Sequence, residues 1–275
     1  MPPAGEKWRA GMMAGARIFD LEQPRTAEMP VWPAHRPGYS YLLHRHHEDE
    51  YEDTKPRSSA SGVIVCMEHT GTHIDALCHQ AEDLTLYGSV PVDGRVQTSR
   101  GFIRLGVEEI PPILAPGVLL DVAASKGVDS LEPGYAVTDG DLEKCCERQG
   151  VNVEPGDVAL VRTGNARFWD EPERYLAGAG MAPSASYWLT EKQVLAVGAD
   201  NMVWDVPGVR DPELGCLLPG HLILLVRRGI YIIENLQLDE LAAAEGYRFR
   251  FVCTPLKFVG ATGSPVRPVA IVSET

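Results

Sequence analysis

The chain has 275 residues, a formal net charge of -13 and a pI near 5.1. Such an acidic protein repels nucleic-acid phosphates and anionic membranes, and it has no basic run longer than Arg227-Arg228. No uncharged apolar run approaches the ~20 residues of a membrane span, so we expect a cytoplasmic protein with a small-molecule substrate and neither a nucleic-acid nor a membrane partner.

The chain is predicted to form one large domain. Its length allows one or two domains, but proline and glycine are scattered among apolar segments and no linker divides them. We predict a flexible N-terminus over residues 1–15 and a single α/β domain over residues 16–275. The six cysteines form no CxxC pair and are expected to be reduced.

The first predicted element is a strand at Ala16–Leu21. It is followed by Met29–Pro33, in which two prolines flank Trp32 and stiffen an extended segment. Trp32 suits either a core position or the wall of a pocket. The next feature, the histidine cluster His44–His47, is a possible metal site. Because it lies in a highly charged stretch, we interpret it as a solvated loop.

The densest chemical pattern is a stretch with three histidines and an aspartate, namely His69, His73, Asp75 and His79. Imidazole and carboxylate are ligands of borderline divalent metals. The four positions share one parity, so an extended backbone would direct them to one face. We predict that Val63–Met67 is a buried strand leading into this motif. The alternative is a set of hydrogen-bonded loop histidines without a metal.

The second half alternates strands and helices. We predict strands at Gly117–Val122, Gly156–Gly164 and Tyr247–Cys253, and helices that begin at Thr138 and Tyr187. Short strands and helices that alternate along one chain are typical of an α/β fold.

A histidine and a glutamate flank the last helix and strand pair. His221 begins a short apolar helix, and the strand Tyr231–Ile233 ends at Glu234. The two side chains could face one point, although His221 alone suits a cap or core position and Glu234 a solvated one. Asp200 and Asp205 could orient ligand histidines or form turns and caps.

These segments resemble the metal-dependent cyclase family of hydrolases, which includes bacterial kynurenine formamidase and isatin hydrolase. The similar motifs are His-Thr-Gly-Thr-His-Ile-Asp with a histidine four residues later, Pro-Val-Trp-Pro, Gly-Asp-Val-x-Leu-x-Arg-Thr-Gly, and Gly-Ile-Tyr-Ile-Ile-Glu-Asn-Leu. The resemblance spans residues 16 to 255. It implies a mixed-sheet, swivelling β/β/α fold and a homodimer or homotetramer.

The resemblance also implies a site with zinc or manganese, one or two ions per subunit. Trp32 would contact the substrate and His79 would be the general acid and base. The first metal would be bound by His69, His73 and Asp75, the second by Asp75 and His221, and Glu234 would be shared.

The implied activity is hydrolysis of an amide, lactam, imide or lactone-type carbonyl, most specifically a C–N bond other than a peptide bond, by metal-activated water. Leu77 and Gln80 depart from the family pattern Asp-Ala-Pro-x-His-Phe, which argues against N-formylkynurenine as the substrate. The alternatives are a metal-dependent cyclase or lyase that works without hydrolysis, and a metal-binding protein that is not an enzyme. Cys78 lacks an identifiable base and is not expected to be a nucleophile.

Overall fold

A computed structural model describes residues 15–273. The N-terminus predicted to be flexible therefore lies, apart from Gly15, outside the described residues. The strands are β1 (Ala16–Asp20), β2 (Tyr39–Arg45), β3 (Ser61–Cys66), β4 (His73–Asp75), β5 (Thr85–Leu86), β6 (Val90–Pro91), β7 (Gln97–Thr98), β8 (Gly101–Phe102), β9 (Ile113–Asp121), β10 (Ala136–Val137), β11 (Val158–Arg162), β12 (Gly180–Met181), β13 (Ala196–Ala199), β14 (Tyr231–Glu234), β15 (Arg248–Cys253), β16 (Gly263–Pro265) and β17 (Val269–Ser273).

Short helices connect these strands. They are α1 (Tyr51–Thr54), α2 (Val122–Ser125), α3 (Asp139–Gln149), α4 (Pro172–Leu176), α5 (Pro183–Glu191), α6 (Pro219–His221), which continues as a π-helical turn over Leu222–Val226, and α7 (Asp239–Ala243).

A nine-stranded mixed sheet organises the fold, in the order β1-β17-β15-β9-β11-β13-β14-β4-β16. The four central strands β9, β11, β13 and β14 are parallel. Antiparallel strands extend both edges, with β15, β17 and β1 on one side and β4 and β16 on the other. The predicted mixed-sheet α/β architecture is confirmed.

Burial along the strands follows their place in the sheet. Every residue of β11 is buried, as expected for a central parallel strand covered on both faces. Alternate residues of neighbouring β9 contact different core clusters: Leu119 belongs to one, and Val118 and Leu120 to the other. Because side chains alternate along a strand, the two clusters lie on opposite faces of the sheet. The second cluster includes Leu142 of α3 and Leu189 of α5.

Most of the predicted helices and strands lie near the positions that local sequence patterns indicate. Thr138 caps α3 in a reciprocal capping box with Asp141, as its spacing indicates. The helix predicted to begin at Tyr187 begins earlier, at Pro183, which occupies the first turn where its missing N–H costs nothing. In β15, Phe249, Phe251 and Cys253 are buried and alternate with the exposed Arg248 and Arg250, as the sequence pattern predicts.

Val63–Met67 is predicted to be a buried strand, and this prediction is wrong because the segment is exposed. Residues 61–66 do form β3, but Val63, Ile64 and Val65 are 46%, 64% and 55% exposed. Within the described part of the chain, β3 pairs with β2 alone, in a two-stranded hairpin separate from the main sheet. An apolar run becomes buried only if other elements cover it, and none of the described elements covers this hairpin. The His44–His47 cluster lies at its tip, where the histidines are exposed.

None of the helices within residues 15–273 has the length and apolar character needed to cross a membrane.

Candidate metal centre

The predicted ligands meet where β4 joins the edge of the main sheet. Strand β4 carries His73 and Asp75 and lies between β14 and β16. In its antiparallel ladder with β14, His73 is directly opposite Glu234, and such pairs have Cβ atoms about 4.5–5.5 Å apart. His221 comes from α6, just before β14, and His69 from the turn before β4. All five side chains are buried.

One ring nitrogen of His73 is fixed by the backbone. Nδ1 lies 2.8 Å from the carbonyl oxygen of Gly71, which can only accept a hydrogen bond, so Nδ1 carries the proton. In the neutral ring, Nε2 then carries a lone pair. This atom lies 3.5 Å from an oxygen of Asp75 and 3.4 Å from one of Glu234.

His221 is oriented in the same way by a carboxylate. Its Nδ1 lies 2.7 Å from Oδ2 of Asp205, whose oxygens also accept hydrogen bonds from the backbone N–H groups of Gly220 and His221. Its Nε2 points toward Glu234 at 3.4 Å and Asp75 at 3.7 Å. A histidine that donates one ring N–H to a carboxylate and presents the other nitrogen is the usual arrangement of a metal ligand.

His69 is oriented by a threonine from the C-terminal part of the chain. The Thr262 hydroxyl donates to Oε1 of Glu68 at 2.5 Å, so its oxygen accepts from Nε2 of His69, 2.7 Å away. The remaining nitrogen, Nδ1, faces Oδ1 of Asp75 at 2.8 Å. Strand β16 fits closely against this ring, because a Cβ on Gly263 would stand 2.7 Å from Cε1 of His69.

Three nitrogen lone pairs therefore converge on the carboxylates of Asp75 and Glu234. Nitrogen lone pairs and carboxylate oxygens repel one another unless protons or cations lie between them. Burial disfavours a charged ring, yet the contacts with Asp75 raise the pKa of His69, and those with Asp205 and Glu234 raise the pKa of His221 well above its ordinary value. Oδ2 of Asp75 is buried without a hydrogen-bond partner. Divalent cations bound between these groups would satisfy this oxygen and the three nitrogens, so the residues fit a metal centre.

The groups of possible ligands share Asp75. One consists of Asp75, His221 and Glu234, the other of Asp75, His69 and His79. Asp75, His221 and Glu234, which are predicted to hold the second metal, thus lie together. For the first site the structure places His79 beside His69 and Asp75, while His73 adjoins both carboxylates.

His79 differs from the other histidines in its surroundings. Its half-buried ring stacks on that of His69, with centroids 3.9 Å apart. Burial lowers the pKa of His79 well below its ordinary value, against the opposing charge of Asp75. The ring is therefore neutral near pH 7 and has a nitrogen that can accept a proton. Burial also raises the pKa of the neighbouring Cys78 thiol to about 12, which disfavours a thiolate nucleophile.

Comparison with known proteins identifies the family. The model of a family described as "Putative cyclase" matches residues 19–206. The chain belongs to this cyclase family. It is 29% identical over 264 residues to the kynurenine formamidase of Bacillus cytotoxicus, a match that covers 94% of this chain and 98% of that protein.

Solved structures agree with the cyclase-family fold. A crystal structure described as a novel cyclase superposes with a TM-score of 0.83 at 30% identity and covers 95% of this chain and 88% of its own. Isatin hydrolase A from Ralstonia solanacearum superposes with a TM-score of 0.75 at 22% identity, covering 99% and 98% of the two chains. The predicted family and fold are confirmed.

Two further side chains hold the cyclase-family motif in place. Arg25 donates hydrogen bonds to the carbonyl oxygens of Thr70 and Thr72, on both sides of Gly71. Asn235 donates to the Gly71 carbonyl at 2.9 Å, the same oxygen that orients His73. Sequence reasoning missed both residues. Arg25 lies 45 residues before Thr70 without a local signal, whereas Asn235 directly follows a predicted ligand and could have been considered.

Trp32 is followed by a turn that brings His35 close to the site. Trp32 is half-buried and packs against a small cluster that includes Met29 and Trp169. Its predicted role as a substrate contact remains a prediction. The turn Pro33–His35 places the ring of His35 5.0 Å from that of His69. Sequence reasoning overlooked His35, although its position just after the Trp-Pro segment was a usable signal.

We expect Asp205→Asn to weaken metal binding by about 10- to 100-fold, the usual effect of removing a group that orients a ligand histidine. An amide can present its NH2 group to Nδ1 of His221, which would move the lone pair away from the metal side. The measurement is a competitive titration with a chelator of known affinity. Asp170→Asn, at an exposed aspartate, is the charge-matched control, and equal affinity in both variants would contradict the role of Asp205.

Proposed function

We propose that the protein is a metal-dependent hydrolase that cleaves an amide, lactam, imide or lactone-type carbonyl compound, most specifically a C–N bond other than a peptide bond. The observation that carries this proposal is the convergence of three fixed ring nitrogens on two buried carboxylates. The name of the relative from Bacillus cytotoxicus describes action on a formamide, and the match covers nearly the whole of both chains. Both facts favour hydrolysis over the other candidate activities.

The residues of the site have two proposed roles, as metal ligands and as a proton carrier. Cations would be held by His69, His73, Asp75, His221 and Glu234. A divalent cation bound there supplies Lewis acidity, which polarises a carbonyl group and lowers the pKa of water. Because the ligands are buried, the surrounding protein excludes bulk solvent and keeps electrostatic interactions strong.

His79 is the general base and acid in this proposal. Its neutral ring can take a proton from the attacking water and return it to the leaving nitrogen. Stacking on His69 fixes the ring next to the ligands. No nucleophilic side chain is required, in agreement with the protonated state of the Cys78 thiol.

The substrate is proposed to be an amide, lactam, imide or lactone other than N-formylkynurenine. Of the two departures from the family motif, Leu77 packs into the core cluster that contains Val118, so it does not shape a pocket. Gln80 is half-buried beside His79 and can contact a substrate with its amide group. Gln80 is therefore the departure that we expect to alter substrate choice.

The test uses protein stripped of metal and then loaded with Zn²⁺ or Mn²⁺. Isatin, glutarimide, homoserine lactone and N-formylkynurenine are incubated in water enriched in heavy oxygen, and the products are analysed by mass spectrometry. We expect the loaded protein to place one solvent oxygen in the product and the stripped protein to be inactive. A product without solvent oxygen would overturn hydrolysis in favour of a cyclase or lyase, and equal activity without metal would overturn the metal dependence.

We also propose that the site binds zinc or manganese, with one or two ions per subunit, and that the protein is a cytoplasmic homodimer or homotetramer. Elemental analysis gives the metal and its stoichiometry, and native mass spectrometry gives the number of subunits.

A further inference from the structure

A fifth imidazole, that of His35, lies beside the candidate metal centre without a structural role. Its ring centroid lies 5.0 Å from that of His69 and 6.4 Å from that of His79. Among residues 15–273, no side chain or backbone group forms a hydrogen bond with its ring nitrogens, and the ring is only half-buried. A neutral imidazole always has one N–H to donate, and here that group is free for a ligand.

The backbone around His35 is well held. The N–H of His35 donates to the Trp32 carbonyl at 2.9 Å, and the N–H of Gly38 donates to the His35 carbonyl at 3.0 Å. Gly38 has a φ of +81°, and a Cβ there would stand 2.7 Å from a methyl group of Val31, so the turn requires glycine. The ring of His35 is thus presented by a defined turn, as substrate-positioning groups need to be.

His35 is distinct from the ligands. It belongs to neither group of possible metal ligands within the described residues. Its ring centroid lies 6.4 Å from that of His79, which leaves room for part of a substrate between the two rings. A hydrogen bond joins atoms about 2.8 Å apart. The two rings are therefore close enough for a substrate carbonyl oxygen to accept a hydrogen bond from His35 while the attacking water donates one to His79.

We propose that His35 binds the substrate by donating a hydrogen bond to the carbonyl oxygen of the amide, lactam or imide that is hydrolysed. This inference rests on the proposed function and adds a second polar contact to it, across the gap from His79. A donor aimed at the oxygen that gains negative charge during attack on a carbonyl lowers the barrier, whereas the same donor contributes less to binding of the uncharged substrate.

The experiment compares His35→Phe with His35→Gln. Phenylalanine keeps a flat ring against His69 but has no donor, and glutamine restores a donor without the ring. With isatin, glutarimide or N-formylkynurenine, whichever the wild type hydrolyses fastest, we expect His35→Phe to lower kcat about 100-fold. We expect KM to change much less, metal content to stay at the wild-type value, and His35→Gln to recover about a tenth or more of the lost rate.

The matched control is His44→Phe, the same substitution at an exposed histidine of the β2–β3 hairpin. Wild-type rates in that variant exclude a general effect of losing an imidazole. Values of kcat within twofold of wild type in His35→Phe would overturn the inference while leaving the proposed function intact, and so would a loss of metal in proportion to the loss of rate.

An equilibrium measurement separates the two proposals. Isatinate, the hydrolysis product of isatin, is titrated into metal-loaded wild type and His35→Phe, and we expect binding about tenfold weaker in the variant, the effect of one hydrogen bond. A wild type that hydrolyses none of these three compounds or homoserine lactone, and does not bind isatinate, would overturn the proposed function and this inference together.

Discussion

Asp75→Asn is expected to abolish metal binding and activity while leaving the protein folded. Asp75 belongs to both groups of possible ligands and contributes a different oxygen to each, Oδ1 toward His69 and Oδ2 toward His221. Asparagine keeps the shape but loses the charge, and its NH2 group can donate hydrogen bonds to the lone pairs that a cation would otherwise neutralise. The substitution therefore removes the metal site without leaving new unsatisfied groups in the core.

Elemental analysis and kcat/KM measure the effect of Asp75→Asn. We expect a metal content near zero and a loss of activity larger than the roughly 10- to 100-fold cost of removing an orienting group. Thermal unfolding of metal-free wild type and variant should give similar midpoints, because the amide relieves the repulsion between carboxylate and nitrogen. Retention of the wild-type metal content would contradict the placement of Asp75 at the centre of the site.

His79→Gln is expected to lower kcat by about 10²- to 10⁴-fold, the usual contribution of a general base. Glutamine can still hydrogen-bond to water but cannot take its proton. If His79 is the base, metal content stays at the wild-type value, which elemental analysis determines on the same samples that are assayed.

The control for His79→Gln is His73→Gln, in which a ring nitrogen near both carboxylates is lost. We expect this control to lose metal together with activity. Loss of metal in His79→Gln as well would instead assign His79 as a ligand, in line with its proximity to His69 and Asp75.

The positions of the predicted ligands follow from local spacing more directly than the groups that orient them. The shared parity of His73 and Asp75 placed both on one face of a strand, and β4 has this geometry. The partners that fix the ring nitrogens depend on tertiary contacts. Thr262 meets His69 across 193 residues of sequence, so spacing could not assign it. Asp205, which contacts His221, was one of two aspartates that the sequence offered for orienting a histidine.

The same distinction between local sequence patterns and tertiary contacts applies to the fold. The capping box of Thr138 and the alternation in β15 are local patterns, and both predicted elements formed. Burial of Val63–Met67 depended on whether another element would cover the hairpin, and a single segment contains no information about that. The position of His35 just after the Trp-Pro segment was a local signal, but its proximity to His69 depends on tertiary contacts.

The contact between Thr262 and His69 also has a consequence for the order of folding. Arg25, the turn at His69, Glu234 and Thr262 come from nearly the whole length of the described chain, and β16 must dock against β4 before the His69 ring is fixed. Contacts so distant in sequence form late and slowly, because long loops must close first. We therefore expect the candidate centre to be completed late in folding, and chains that end before Thr262 to lack the contact that orients His69.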